Sequence, residues 1–308
     1  MALRLARNFK WLERFTRIAI WKGLFFNRLL GKNFMKGLTS SIRKLIPQAP
    51  LWSNHIQRPA KTRIIPPTTI AEAPGVVYFC ACINRMMGGD IFQRMESLCR
   101  KAGIDMITTS ETLQSCCGQI FSSKGYADAY KHMANQTVEQ LWNATRQGAL
   151  PVVLDVSSCT QTLLHSRPYL TQENQQRFDN IQLLDIVDFA ADWLLPRLHI
   201  SRPKEKVVFH PVCSVQKMGT LPKLQAIGRA CAKQADIPVF AACCGMAGDR
   251  GMYYPGLTSA ATKRESDEVK QQTYEGYYST STTCEMALSE SVGAEYTGIL
   301  TLLDESSD

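Results

Sequence analysis

Eight of the eleven cysteines in this 308-residue chain fall into two sets with matching order and similar spacing. Each set has a Cys-Cys-Gly triplet, one cysteine well before it and one well after it. The first set is Cys82, Cys116, Cys117 and Cys159, and the second is Cys213, Cys243, Cys244 and Cys284. Thiolate is the usual ligand of iron–sulfur clusters, and four thiolates hold one cluster. The sequence therefore predicts two metal sites, each able to hold a [4Fe–4S] cluster.

Other uses of cysteine fit this pattern less well. An odd number of cysteines argues against a disulfide framework, and no C-x-x-C pair typical of structural zinc occurs. Free cysteine is often a small core residue. We expect that role for Cys99 and Cys231, which lie inside predicted helices, while the alternation of a strand places Cys80 on the face opposite Cys82.

The glycine after each cysteine pair has a predicted structural role. Two adjacent side chains that face one metal centre need an unusual backbone turn, which glycine tolerates. We expect Gly118 and Gly245 to form this turn and to leave neighbouring amides free to donate hydrogen bonds to the cluster.

The segments around the cysteines also repeat, so the chain contains two copies of one unit. Short apolar runs read as buried strands and alternate with helix-length stretches, which predicts a parallel, helix-covered sheet in each copy. The predicted strands are Val76–Phe79, Met106–Thr109, Val152–Val156, Val207–Phe209, Pro238–Phe240 and Gly298–Leu302, and the predicted helices include Lys124–Gln147, Leu221–Gln234 and Leu257–Thr273. The cysteines then lie just past the carboxyl ends of strands, where open α/β sheets place their sites.

Charge divides the chain into a basic arm and a mildly acidic body. Residues 1–65 contain 14 Lys and Arg but one acid, Glu13, whereas the remainder contains 21 basic and 26 acidic residues. Because the predicted folded part is the acidic part, nucleic-acid binding is disfavoured. We predict an α/β chain with an arm and linker over 1–70, one domain over 71–200 and a pseudo-symmetric second domain over 201–308.

The arm has the pattern of an amphipathic helix. Its aromatic and aliphatic row is Trp11, Phe15, Ile18, Trp21, Phe25 and Leu29, and its basic row is Arg7, Lys10, Arg14 and Arg17. This composition suits an anionic lipid surface, and packing on the body or on a partner subunit is an equal alternative. A mitochondrial transit peptide ranks third, because serine is scarce.

The expected location is the cytoplasm, with peripheral attachment to the inner face of the cytoplasmic membrane as an alternative. No apolar run approaches the ~20 residues that span a bilayer, and the first residues lack the apolar core of a secretory signal.

Several long segments resemble a known family. "VYFCACINRMMG", "CCGQIFSSKGYADA", "HPVCSVQKMGTLPKL", "CCGMAGDRGMYYPGLTSAAT" and "YYSTSTTCEMALSE" are similar to the cysteine-rich (CCG) domains of heterodisulfide reductase subunits, glycolate oxidase iron–sulfur subunits and lactate-utilisation proteins. Over roughly residues 75–305 the chain looks most like the carboxyl-terminal region of FAD-linked D-lactate dehydrogenases that carry iron–sulfur clusters. The resemblance implies electron transfer from flavin to a quinone or cytochrome.

Two departures from the family pattern refine this expectation. Heterodisulfide reductase domains end each repeat with C-x-x-C, whereas this chain reads "VSSC" and "STTC". The missing fifth thiolate favours four-thiolate sites over the non-cubane cluster. The chain also has no Gly-rich flavin fingerprint and no ferredoxin-like cysteine run, so FAD is expected on a partner hydroxyacid dehydrogenase chain or a missing domain. No catalytic residue for D-lactate or glycolate oxidation is therefore assigned here.

Two other function classes compete with electron transfer. A heterodisulfide-type thiol–disulfide oxidoreductase is disfavoured by the missing fifth cysteines, and a redox or iron sensor needs an effector module that the sequence does not show. Near the second site, His210 is a candidate ligand, but more often such a residue caps a strand end. The Asp249–Gly251 segment either contacts the cluster or partner, or forms a structural turn.

Overall fold

A computed structural model describes residues 1–67 and 74–308. The strands are β1 Gly75–Phe79, β2 Asp105–Ile107, β3 Val152–Leu154, β4 Leu183–Asp185, β5 Lys204–Phe209, β6 Ala232–Asp236, β7 Gly276–Ser279 and β8 Tyr296–Gly298. The helices of the arm and first half are α1 Ala2–Arg7, α2 Phe9–Leu30, α3 Phe34–Leu45, α4 Cys82–Met87, α5 Ile91–Lys101, α6 Gln119–Ser122, α7 Ala127–Ala144, α8 Ser157–Leu164, α9 Gln172–Asp179 and α10 Ile186–Asp188. Those of the second half are α11 Cys213–Met218, α12 Leu221–Cys231, α13 Arg250–Tyr253, α14 Pro255–Val269, α15 Thr282–Val292 and α16 Ile299–Ser306.

The strands form two parallel sheets with the same topology, as the repeat predicts. Their orders are β2-β1-β3-β4 and β6-β5-β7-β8. In the first sheet Val77 pairs with Ile107 and Val152, and in the second Val208 pairs with Asp236 and Tyr277. Both sheets are covered by helices, so the central strands are buried on both faces and read as continuous apolar runs.

One hydrophobic core passes through both domains. It joins Tyr78 of the first sheet and Phe209 of the second through Leu98 on α5 and Leu302 on α16. A segment of π-helix, Phe189–Leu194, continues α10 and packs against α12. The two sheets are therefore held in one packed body.

Some predicted elements differ from the observed ones. The run Pro238–Phe240 is not a strand; the edge strand β6 lies earlier, at Ala232–Asp236. Of Gly298–Leu302, only Gly298 belongs to a strand, because the apolar residues after it begin α16. β4 and β7 were not predicted. The predicted boundary between residues 70 and 71 lies outside the described residues.

The arm combines the two alternatives considered for it. One face of α2 is buried against the body through Phe9, Glu13, Ile20 and Gly23. The aromatic and aliphatic row starting at Trp11 lies on the opposite face and is exposed. Gly23 is needed for this packing, since a Cβ there would lie 2.4 Å from the Trp52 ring.

Candidate metal centres

Each domain brings its four predicted cysteines to the carboxyl edge of its sheet. In both, the first cysteine begins the helix after the first strand: Cys82 begins α4 and Cys213 begins α11. The last cysteine is the third residue of the helix after the third strand, in α8 and α15. The Cys-Cys pairs lie in the loops that follow β2 and β6. The pseudo-symmetry therefore extends to the positions of the thiols.

The first quartet, called site 1, is enclosed. The Sγ atoms of Cys82 and Cys116 are 3.3 Å apart, and those of Cys117 and Cys159 are 3.1 Å apart. Cys116 also contacts Cys117, so the two pairs join into one group. Cys116, Cys117 and Cys159 are buried and Cys82 is partly buried.

The second quartet, called site 2, opens to the surface. The Sγ atoms of Cys244 and Cys284 are 2.8 Å apart and both residues are buried. Cys213 contacts Cys243, and both of these residues are exposed. The chain thus carries one enclosed and one accessible thiol quartet.

The glycine of each triplet has the predicted conformation. Gly118 has φ +81° and Gly245 has φ +76°, in the left-handed region. A Cβ at Gly118 would lie 2.9 Å from the Tyr130 ring, and one at Gly245 would lie 2.7 Å from the Leu257 carbonyl oxygen. Each glycine amide donates to the first sulfur of its pair, Cys116 or Cys243. The turn therefore directs both thiols and one amide into the site.

A buried ion pair that the sequence analysis missed lies beside site 1. Arg85, on α4, is fully buried and donates to both carboxylate oxygens of Glu13 on α2, at 2.8 and 2.5 Å. It also donates to the carbonyl oxygens of Cys80 and Ser115, at 2.5 and 2.8 Å. Ser115 directly precedes Cys116, so one guanidinium fixes the arm and the cysteine loop together. Glu13 is the sole acid of the arm, and that was the available signal.

A second buried pair lies beside site 2. His210 Nδ1 is 2.8 Å from Glu265 Oε1, and both side chains are buried. His210 Nε2 is buried and has no hydrogen-bond partner among the described residues. The positive charge of His210 contributes to lowering the pKa of Cys243 and Cys244, after the larger effects of their contacts with Cys213 and Cys284. An orphaned ring nitrogen next to two thiols is able to donate to a cluster in this site.

The two sites differ in electrostatics. In site 1, contact with Cys116 and burial raise the pKa of Cys82, and contact with Cys117 raises that of Cys116. In site 2, contact with Cys213 and the Gly245 amide lower the pKa of Cys243 to about 5. A thiolate is therefore present at the accessible site at neutral pH.

The three remaining cysteines lie in the core. Burial raises the pKa of Cys99 and of Cys231 to about 12, and burial also raises that of Cys80. Cys99 is on α5 and Cys231 ends α12, both buried. These placements agree with the predicted structural roles.

The Asp249–Gly251 segment joins the two cysteine loops. Asp249 pairs with Lys124 at 2.7 Å, and Arg250 donates to the Ser123 carbonyl oxygen at 3.1 Å. Lys124 and Ser123 follow the first triplet, and α8 of site 1 packs against α11 of site 2. The two sites are therefore neighbours across the domain interface.

A cavity of about 400 Å³ lies at the same interface. Asp155, Asn84 and Glu285 line it, and Glu285 directly follows Cys284. Asp155 accepts from the Tyr78 hydroxyl at 2.6 Å and from the Ala81 amide at 2.8 Å. Burial and Asp155 raise the pKa of Glu285 to about 8, so this carboxyl is protonated at neutral pH.

The donor set fits an iron–sulfur cluster by its chemistry. Among residues 1–67 and 74–308, no group of three or more His, Cys, Asp and Glu side chains is already arranged to hold a metal ion. The thiols of each quartet instead contact one another in pairs. Each quartet offers four sulfur donors, and amides directed at the sulfurs supply the hydrogen bonds that tune such clusters.

Comparison with curated proteins finds relatives in a dehydrogenase complex. The chain is 25% identical over 187 residues to the iron–sulfur-type third component, named C, of the anaerobic glycerol-3-phosphate dehydrogenase of Escherichia coli K12. The same component of strain O157:H7 matches equally well. The alignment covers 57% of this chain and 44% of the relative, so the chain spans less than half the length of these relatives.

Solved structures with a related shape are distant. An aspartate racemase of Picrophilus torridus aligns with a TM-score of 0.33 and 9% identity, over 76% of this chain and 91% of that one. An aspartate racemase homologue of Pyrococcus horikoshii OT3 aligns with a TM-score of 0.28 and 12% identity, over 76% and 96%.

A family model matches both repeats. The sequence model of the CCG cysteine-rich domain matches twice, over residues 76–164 and 207–289. These two ranges contain all eight cysteines of sites 1 and 2. They also contain β1, β3, β5 and β7, the strands that place the first and last cysteine of each quartet. The chain belongs to the CCG cysteine-rich domain family.

Proposed function

We propose that this chain is an iron–sulfur electron-transfer subunit, or the carboxyl-terminal part, of a FAD-linked D-2-hydroxyacid dehydrogenase. The observation that carries the proposal is the pair of four-thiol quartets at equivalent positions of two repeated domains. Each quartet would hold one [4Fe–4S] cluster, which supplies one-electron transfer. Similarity to a component of an anaerobic glycerol-3-phosphate dehydrogenase supports a role in a dehydrogenase complex.

D-Lactate or glycolate is the proposed substrate of the partner, on the resemblance of the long CCG segments. The partner supplies FAD and oxidises the hydroxyacid, and this chain carries the electrons onward to a quinone or cytochrome. Cys213 and Cys243 are exposed, whereas site 1 is enclosed. The partner therefore docks beside site 2, where the path from its flavin to the thiols is shortest.

The decisive experiment measures metal and electron transfer separately. Anaerobically purified chain should contain about eight iron and eight sulfide per chain if both sites hold [4Fe–4S] clusters. Alone it should not oxidise D-lactate, because it has no assigned flavin site. Addition of the FAD-containing D-lactate dehydrogenase should reduce its clusters with lactate. Stoichiometric zinc in place of iron, or clusters that lactate and the flavoprotein never reduce, contradicts the proposal.

A thiol–disulfide oxidoreductase is the second candidate, and one observation favours it. Cys243 is exposed with a lowered pKa and contacts the thiol of Cys213, which resembles a reactive dithiol pair. Reduction of glutathione disulfide by the dithionite-reduced protein distinguishes the two functions. Turnover that Cys243→Ser abolishes while iron at site 1 remains would favour this candidate.

A further inference from the structure

The outer face of α2 is an apolar surface that the body does not cover. Its side chains recur at helical spacing, with exposed fractions between 45% and 67%: Trp11, Phe15, Ile18, Trp21, Phe25 and Leu29. We call these six residues the aromatic row. α3 continues the surface with Phe34, Leu38 and Ile42, which are also exposed. A contiguous apolar surface on this scale marks an interaction site.

Positive charge surrounds the aromatic row. Eight exposed basic side chains of α1–α3 and their connections form no ion pair among the described residues: Arg4, Arg7, Lys10, Arg14, Lys22, Arg28, Lys32 and Lys44. The one acid of the arm, Glu13, lies on the opposite face of α2 and is bound to Arg85. The surface therefore has only positive charge.

The arm is fixed to the body by side-chain contacts along its length. Lys36 pairs with Glu290, Arg43 donates to the Tyr253 carbonyl oxygen, and Arg17 donates to that of Ala60 at 3.0 Å. In the part of the chain that the structure describes, no helix is long and apolar enough to cross a membrane. The surface can thus meet a partner as a rigid plane.

We propose that α2 and α3 lie flat on an anionic phospholipid surface and dock the whole molecule there. Aromatic and aliphatic side chains with surrounding Lys and Arg are the pattern of a helix in the plane of a membrane interface. Tryptophan favours the headgroup level, and the unpaired cations match the negative lipid surface. A protein partner would need a large acidic and apolar surface, for which the arm offers no paired acidic group.

The orientation follows from the α2 helix itself and rests, in its redox consequence, on the proposed function. The aromatic row and Glu13 are on opposite sides of a helix about 10–12 Å in diameter. Glu13 binds Arg85, which binds the carbonyl oxygen of Ser115 next to Cys116. Site 1 therefore faces the lipid from behind one helix, and electrons leave for a membrane quinone from site 1.

Vesicle binding of the full chain tests the docking. We expect co-sedimentation with vesicles of phosphatidylcholine and phosphatidylglycerol, little binding to phosphatidylcholine alone, and release at high salt because the attraction is screened. The variant Arg14→Glu/Arg28→Glu should weaken binding more than tenfold. The control Arg229→Glu/Lys270→Glu makes the same charge change at exposed residues of the second domain and should leave binding unchanged.

Quenching by brominated lipid identifies the bound face. Fluorescence of the bound protein should be quenched, and Trp11→Phe/Trp21→Phe should lose most of the quenching while it still binds, because phenylalanine preserves the apolar row. Trp142→Phe/Trp193→Phe should keep it. Equal binding to neutral and anionic vesicles, or quenching that the first variant retains, overturns the proposal. So does a concentration-dependent dimer, dissociated by Arg14→Glu/Arg28→Glu, in a chain that never binds vesicles.

A kinetic measurement tests the orientation and keeps it distinct from the proposed function. With vesicle-bound, cluster-reduced protein, Arg14→Glu/Arg28→Glu should slow oxidation by a quinone dissolved in the lipid and leave oxidation by ferricyanide in water unchanged. Equal rates for both oxidants in all variants refute the orientation. Absence of iron would refute the electron-transfer function, while the vesicle and quenching results would still decide the docking.

Discussion

Glu13 and Arg85 form a bidentate ion pair inside the protein, although 72 residues separate them in the chain. Glu13 belongs to the arm and Arg85 to the helix that begins with Cys82. The guanidinium also bonds to two backbone carbonyl oxygens, so its donors are well satisfied. The arm is for this reason a component of site 1 and not a detachable extension.

Removal of one partner of this pair should destabilise the fold strongly. Glu13→Ala leaves the Arg85 charge buried without its carboxylate, and breaking a buried pair costs about 3–5 kcal/mol. Urea unfolding followed by circular dichroism measures the loss. Lys263→Ala removes one partner of an exposed pair with Asp267 and should leave the unfolding midpoint nearly unchanged, because solvent screens that pair. Similar midpoints for the two variants would contradict the burial argument.

Iron content should report each quartet separately. Cys117→Ser and Cys244→Ser should each remove about four iron per chain, because a [4Fe–4S] cluster needs four thiolates. Cys99→Ser and Cys231→Ser serve as controls and should retain all iron, since both cysteines are core residues. Iron and sulfide assays with electron paramagnetic resonance of the reduced protein check the result. Loss of both clusters from either site variant would show that the sites are not independent.

Alkylation should distinguish the two sites in metal-free protein. The pKa of Cys243 is lowered to about 5 by its contact with Cys213, so its thiolate is present at neutral pH. Its reaction with iodoacetamide should be nearly constant from pH 8 to about 6 and should slow as the pH falls towards 5. Peptide mass spectrometry locates the label. Cys117 should react only after unfolding, and fast labelling that survives Cys243→Ser would count against this assignment.

Glu285 should make stability depend on pH. Its folded pKa of about 8 lies above the ordinary value of 4.5, so between these values the folded chain binds more protons than the unfolded chain. Stability from this group therefore falls as the pH rises through that window, and the penalty is complete above pH 8. Glu285→Gln should raise the melting temperature more at pH 8.5 than at pH 5, at equal iron content. Glu295→Gln, an exposed carboxyl on the rim of the same cavity, is the control.

The sequence predicts the repeat, the parallel sheets and the grouping of the cysteines, because each depends on local patterns that occur twice. It fails where a pattern is ambiguous. The apolar residues Ile299–Leu302 suit a buried helix as well as a strand, and β6 is a partly exposed edge strand with the polar sequence AKQAD. Contacts between distant residues, such as Glu13 with Arg85 or His210 with Glu265, leave no periodic signal in one sequence.

The unequal exposure of the two quartets has a consequence for cluster assembly. A scaffold protein that delivers iron and sulfide can reach Cys213 and Cys243 in the folded chain, whereas Cys116, Cys117 and Cys159 are sealed. Site 1 must therefore be filled before α2 closes over it, or α2 must open again. During synthesis the arm emerges first and waits for Arg85, which gives delivery a period of access. Maturation should proceed from the enclosed centre to the open one, and oxidative loss should proceed in reverse.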